Sequence, residues 1–203
     1  SANDVGVIAI DAPISGCGLS AGESVTISVV NLGAATQTII PVSYNINGGG
    51  AIPEIINDTL NPGDTLSFTF LITGDLTTPG TYIFDAWTSL AGDTIPSNDS
   101  TTNYVVESIP VVNTFPYLED FESGTLGNFS NSDIIDSLLW INTGIRGTDP
   151  GHSATRSAYF GNPADTTFNT GNIEGANLTL PCIDMSLITT ANLSFTYFRS
   201  EER

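Results

Sequence analysis

Between residues 24 and 86 the apolar side chains recur at every second position. Val25, Ile27 and Val29 alternate with Ser24, Thr26 and Ser28, and Val42, Tyr44 and Ile46 alternate with Ser43, Asn45 and Asn47. Leu66, Phe68 and Phe70 alternate with Ser67 and Thr69, and Tyr82, Phe84 and Ala86 share one parity opposite Asp85. A period of two places one face of an extended strand on a core and leaves the other in water. No stretch sustains a 3.6-residue period, so almost no helix is expected. Further strands are expected at 4–10, 52–56 and 101–106. The segments between are built of turn residues: Ser20-Ala21-Gly22, Asn31-Leu32-Gly33, Asn47-Gly48-Gly49-Gly50, Asn61-Pro62-Gly63-Asp64 and Thr78-Pro79-Gly80. Seven short strands in about a hundred residues is sandwich spacing.

Residues 108–116, with Pro110 and Pro116 among β-branched neighbours, read as a stiff, extended linker. A second β-rich region follows, with strands expected at 117–122, 138–142, 157–160, 176–180 and 191–199. The last is well patterned, Leu193, Phe195 and Tyr197 alternating with Ser194 and Thr196, and the chain stops four residues after it. The expectation is therefore all-β: a sandwich over 1–107, a linker over 108–116, and an incomplete second domain over 117–203.

Charge narrows the partners. The chain carries 22 acidic against four basic residues, a net charge of −18, and has no lysine; the bases are Arg146, Arg156, Arg199 and Arg203. Such a surface repels phosphate backbones and anionic lipid headgroups, so neither nucleic acid nor a membrane surface is an expected partner. Divalent cations and a salty medium suit it. No apolar run approaches the ~20 residues that cross a bilayer, and no leader pattern opens the chain.

Residues 3–107 resemble the CARDB-type immunoglobulin-like modules of bacterial surface proteins. The matching pieces are Asp4-Val5-Gly6-Val7, Gly22-Glu23-Ser24-Val25-Thr26-Ile27, the turn Val30-Asn31-Leu32-Gly33, the two Pro-Gly turns Leu60-Asn61-Pro62-Gly63-Asp64-Thr65 and Pro79-Gly80-Thr81-Tyr82, and Ser97-Asn98-Asp99-Ser100. The second region is similar to the opening of a MAM-like or cleaved-adhesin-like jelly roll. It carries Phe115-Pro116-Tyr117-Leu118-Glu119-Asp120-Phe121-Glu122-Ser123-Gly124, then Trp140, Ser157-Ala158-Tyr159-Phe160, the run from Leu180 through Cys182 to Ser186, and Leu193-Ser194-Phe195-Thr196-Tyr197. Together the resemblances imply an immunoglobulin-like β-sandwich plus a partial jelly roll. They imply an extracellular, non-enzymatic spacer and binding region of a large surface adhesin of Bacteroidetes, of attachment or gliding type, exported by the type IX secretion system. The other implied role is that of accessory modules of a secreted hydrolase. The implied partners are other modules of the same polypeptide, a surface glycan or protein, and the secretion machinery.

Candidate chemistry is sparse. Gly18-Leu19-Ser20-Ala21-Gly22 has the letters of a nucleophile elbow, but a strand rather than a helix follows it, and the one histidine, His152, is expected in the other domain. A lone loop histidine without a cysteine pair makes no zinc site. Arg146-Gly147-Thr148-Asp149 is one residue from an integrin-type tripeptide and reads as chance. Asp120 and Glu122, at i and i+2 of an expected strand, would share one face as hard oxygen ligands, with Glu119, Glu201 and Glu202 as further donors. Calcium takes six to eight oxygens, and the jelly-roll resemblance implies structural calcium near this strand; a solvated edge is the alternative. Trp87 and Trp140 are expected to pack in cores rather than form a sugar platform. Asp58-Thr59-Leu60, Asp64-Thr65-Leu66, Asp93-Thr94-Ile95 and Asp136-Ser137-Leu138 resemble the Bacteroidetes O-glycosylation signal, making Thr59, Thr65, Thr94 and Ser137 candidate acceptors. The two cysteines, Cys17 and Cys182, fall in different expected domains and are expected not to pair with each other.

Overall fold

The computed structural model describes residues 1–135, 138–144, 155–161 and 173–197, with the side chains of 133 and 134 aside. Among these the protein is all-β: strands β1 (Val5–Ala12), β2 (Gly16–Cys17), β3 (Thr26–Asn31), β4 (Ile40–Ile46), β5 (Ile52–Ile56), β6 (Thr65–Thr69), β7 (Gly80–Thr88), β8 (Ser100–Ile109), β9 (Val111–Val112), β10 (Ser130–Ile135), β11 (Trp140–Thr143), β12 (Ser157–Phe160), β13 (Gly175–Thr179) and β14 (Cys182–Ile183). The chain divides into two compact units, Ser1–Ile109 and Pro110–Arg203.

The first unit is an immunoglobulin-like β-sandwich. One sheet has the order β1-β3-β6, the other β2-β8-β7-β4-β5. The alternating residues supply its core: Val25, Ile27, Val29, Tyr44, Phe84 and Ala86 are all fully buried, and Phe70 nearly so. Tyr44 sits at the centre. Its ring meets Phe70 edge-on at 4.7 Å and stacks on Phe84 at 6.4 Å, and its hydroxyl donates to the Ile72 carbonyl at 2.9 Å. An aromatic ring can be buried at so little cost because the one polar atom it carries is paired.

Turn chemistry fixes the strand order. Asn47 and Gly48 take left-handed φ values of 52° and 66° in the β4–β5 hairpin, the backbone that a tight antiparallel return needs. Asn31, fully buried at the end of β3, donates from Nδ2 to the carbonyls of Ala35 and Leu60 and accepts the Gly33 N–H on Oδ1. One side chain thus ties the β3–β4 loop to the β5–β6 loop. At Gly33 a Cβ would press on the Ala2 carbonyl and lie 2.9 Å from the Asp4 nitrogen, so the asparagine–glycine turn tolerates no side chain there.

The second unit contains three two-stranded ladders among its described residues: β10 with β13 and β11 with β12 antiparallel, and β9 with β14 parallel. Among the described residues, two expected strands form no ladder. Residues 117–120 are irregular and the chain bends at 121–122, where Glu119 Oε1 accepts the Phe121 N–H, Asp120 Oδ1 accepts the Glu122 N–H and Phe121 itself has a φ of 61°. Side-chain acceptors two residues from a backbone donor compete with a ladder, and here they win. Residues 191–197 have no ladder partner among the described residues, and Leu193, Phe195 and Tyr197 are three-quarters exposed. Ser108 and Ile109, expected in the linker, complete β8.

Cys17 and Cys182 are both in disulfide linkage and neither is free. Cys17 aligns with Ile109 in the β2–β8 ladder, and Cys182 aligns with Val111 in the β9–β14 ladder.

Candidate functional site

The residues of β4 and β7 that do not face the core form the outer surface of the five-stranded sheet. Asn45 is paired with Asp85, and Ser43 with Trp87, across the β4–β7 ladder; Trp87 in turn faces Ser100 on β8. Between Phe84 and Ala86 the β7–β8 register slips, and Asn103 takes a φ of 58°. The Asn103 N–H donates to Asp85 Oδ1 at 2.9 Å, which holds that carboxylate over the sheet. A bulge of this kind re-aims side chains that a regular ladder would splay.

Asn45, Asp85, Trp87, Asp99 and Thr102 line an open pocket of about 370 Å³ on this face, against Pro96 of the β7–β8 loop. Two of its lining side chains carry a buried oxygen with no hydrogen-bond donor, Asn45 Oδ1 and Asp99 Oδ1. The main chain of Asp99 is firmly held: its carbonyl accepts the N–H groups of Val7 and Thr88 at 3.2 and 3.1 Å. Burial pushes the Asp99 carboxyl above the ordinary carboxylate value, and the like charges of Asp93 and Asp4 add to the rise. Asp93 is itself anchored, accepting the Val5 and Ile95 N–H groups, and buried Asp4 accepts from Asn98 Nδ2.

A carboxyl that holds its proton more tightly in the folded state contributes stability that is present below pH 3.8 and is lost as pH rises through the raised value. Asp99→Asn is therefore expected to raise the melting temperature of the first unit at pH 7 and to flatten its decline between pH 4 and neutrality. Thermal scans of both proteins across that range check this.

The residues singled out in the sequence are scattered. Ser20 belongs to a turn: its hydroxyl and its N–H both donate to Glu23 Oε1, at 2.8 and 2.7 Å. Asp120 and Glu122 are exposed. Glu122 accepts the Thr155 hydroxyl and the Arg156 N–H, and these bonds hold its carboxyl below the ordinary value, the Thr155 bond most of all. Both Glu122 oxygens and Asp120 Oδ1 accept local donors, and among the described residues, which do not include Glu201 and Glu202, no three acidic, histidine or cysteine ligands are grouped. Millimolar calcium is expected to move the melting temperature by less than about 1 °C, a shift that would correspond to a small fraction of a kcal/mol. Trp140 is pinned, its indole N–H donating to the Ala176 carbonyl at 3.0 Å beside the Phe160 ring. Trp87, expected in a core, instead lines the pocket. Thr59, Thr65 and Thr94 are exposed. Ser137, His152, the 146–149 segment, Glu201 and Glu202 lie outside the described residues.

No protein-family model matches the chain, and no curated protein does. Among solved structures, it is similar to the CARDB domain of the PF1109 protein from Pyrococcus furiosus. The solution NMR structure of that domain aligns at 20% identity with a TM-score of 0.39, covering 53% of this chain and 94% of that one. A crystal structure of the same domain, a complex with di-metal ions, aligns at 21% identity with a TM-score of 0.37, covering 53% of this chain and 89% of that one.

Proposed function

We propose that this chain is a non-catalytic spacer and binding region of a secreted bacterial surface adhesin, carried to the cell exterior as type IX secretion cargo. The observation that supports this most is the division of labour within the first unit. Its inner faces form a closed apolar core, while the outer face of the five-stranded sheet gathers Trp87, Asp85, Asn45 and Asp99 around an open pocket. A rigid sheet that presents a few polar groups and one aromatic is suited to recognition. Among the described residues, the Ser20 hydroxyl pairs with Glu23 and with the Gly22 N–H, contacts that fix its turn. A disulfide suits an oxidising, extracellular setting, and the acidic surface favours a soluble exterior that resists non-specific adhesion to anionic polymers.

The test is made on the producing cell. Antibody against this chain should label intact cells, and removal of its coding segment from the parent gene should reduce attachment while the remainder is still exported. Labelling only after permeabilisation would overturn the surface assignment, and unchanged attachment would overturn the adhesive one.

Modification belongs to the same proposal. The Asp-Thr-aliphatic triplets present an exposed threonine beside an anchored neighbour, with Leu60 buried after Thr59. Protein purified from its native host is expected to exceed its sequence mass by sugar increments at Thr59, Thr65, Thr94 or Ser137, and to take up iodoacetamide only after reduction. Peptide mass spectrometry with and without reductant reads both.

A further inference from the structure

We infer that two copies of this chain associate edge to edge through β6, antiparallel about a two-fold axis at Ser67, so that their three-stranded sheets join into one. This goes beyond the role proposed above and does not depend on it. β6 ends the sheet β1-β3-β6, and β3 is its one ladder partner among the described residues. Which of its backbone groups are free follows from the ends of that ladder. The Asn31 N–H donates to the Asp64 carbonyl at one end, and the Phe70 N–H donates to the Val25 carbonyl at the other. The register between them is unbroken, from Val30 with Thr65 to Thr26 with Thr69. In an antiparallel ladder, residues that bond the neighbouring strand alternate with residues that bond away from it. Asp64, Leu66, Phe68 and Phe70 therefore face β3, and the N–H and C=O groups of Thr65, Ser67 and Thr69 point out from the sheet. Among the described residues, no further strand, turn or loop backbone takes them up.

The other sheet edges are obstructed. In β1 the Val7 N–H donates to the Asp99 carbonyl, and the Val7 carbonyl accepts the Thr101 hydroxyl. β5 contains Pro53, which has no N–H to offer. β2 is two residues long. Beyond Thr69 the edge of β6 is itself closed, because Glu54 Oε1 accepts the Leu71 and Ile72 N–H groups. The open stretch is thus short, and its own inverse matches it. With Ser67 opposite Ser67 of a second copy, Thr65 falls opposite Thr69, and each outward N–H meets an outward C=O. The exposed hydroxyl residues Thr65, Ser67 and Thr69 then lie together on one face. On the other, Leu66 falls opposite Phe68, and both are half-buried side chains already packed on the core. β6 holds no charge and no proline, the usual guards of an edge strand, and the pairing sets no like charges opposite each other. The chain as a whole carries −18, so its copies repel everywhere except along such a neutral strip. A pairing this short buries less than the ~1,200 Å² of a stable complex, and the dimer is weak and reversible.

The experiment combines sedimentation velocity with residue-resolved amide exchange on the disulfide-bonded chain. Protein with the bare sequence mass is used, because Thr65 is also a candidate sugar acceptor. As concentration rises a dimer should form, and the Thr65, Ser67 and Thr69 N–H groups should become protected. Those of Leu66 and Phe68, bonded to β3, should be protected at every concentration. Added salt should strengthen the dimer by screening the repulsion between copies. Ser67→Pro removes the N–H at the axis without touching a bond to β3, and should weaken the dimer about tenfold. Ser67→Lys and Ser67→Glu, at an exposed position away from the core, should each weaken it by a similar factor. Mixing those two proteins should restore it, since opposite charges then meet across the axis. This pair keeps the test decisive should the proline variant fail to fold. A monomer at every concentration would overturn the proposal. So would a dimer that the Ser67 variants leave intact, or one lost only on Phe195→Ser, which would place the contact on the exposed 191–197 segment instead.

Discussion

Replacing Tyr44 with alanine is expected to destabilise the first unit by about 4 kcal/mol, the cost of emptying a large aromatic site in a packed core. Tyr44 is among the largest of the fully buried side chains, and it contacts aromatic residues on both sides, Phe70 and Phe84. Phe84 is held in β7, and Phe70, just past β6, is tied by its N–H to the Val25 carbonyl, so neither can collapse into the space. Tyr44→Phe keeps the ring and removes only the bond to the Ile72 carbonyl, so it should cost about 1 kcal/mol. Urea unfolding followed by Trp87 fluorescence in a Trp140→Phe background reports the first unit alone. The alanine variant should lower the midpoint by roughly 2 M with an unchanged slope. A loss below about 2 kcal/mol would mean that the core around Tyr44 is far looser than its burial indicates.

The second large effect is expected at Asn31. Asn31→Ala removes three buried side-chain hydrogen bonds. Each partner keeps another contact: the Gly33 N–H also reaches the Asp4 carbonyl, and the Leu60 carbonyl also accepts the Gln37 N–H. The Ala35 carbonyl retains Gln37 Nε2. The cost should therefore be about 2–3 kcal/mol rather than the larger figure for orphaned groups. Asn31→Asp separates this account from simple volume loss. Two of the three bonds use the amide as donor, so a carboxylate would face the Ala35 and Leu60 carbonyls with like partial charge. At pH 7 it should be at least as damaging as alanine, and should recover as the pH falls and the acid can donate. The same urea assay measures all three proteins; an aspartate variant as stable as the parent at pH 7 would show that the amide's donors carry nothing.

These two residues show what could be read in advance. Tyr44 was legible because Val42, Tyr44 and Ile46 share one parity, and a half-buried sheet permits one assignment of such a pattern. Val25, Ile27 and Val29 were legible for the same reason, and all three are fully buried. The second unit was less legible. Residues 117–122 alternate as a strand should, but Glu119 and Asp120 offer local acceptors that turn the backbone. Pieces as short as Val111–Val112 and Cys182–Ile183 carry no period, and their pairing depends on residues some seventy positions away. The pocket was half visible. Trp87 lies on the parity opposite Tyr82 and Phe84, which already placed it on the outer face, and the general preference of tryptophan for burial masked that signal. Asn45 and Asp99 gave no signal of their own, since polar residues at outward positions are ordinary and only the β7–β8 bulge and loop bring them beside Trp87.

The oxidised state of Cys17 and Cys182 has a consequence for how the protein is produced. A reducing cytosol keeps thiols free, so protein made there would lack this cross-linking, whereas protein passed through an oxidising compartment would acquire it. Two preparations of one sequence would then differ in stability by about 2–4 kcal/mol, the usual contribution of a disulfide.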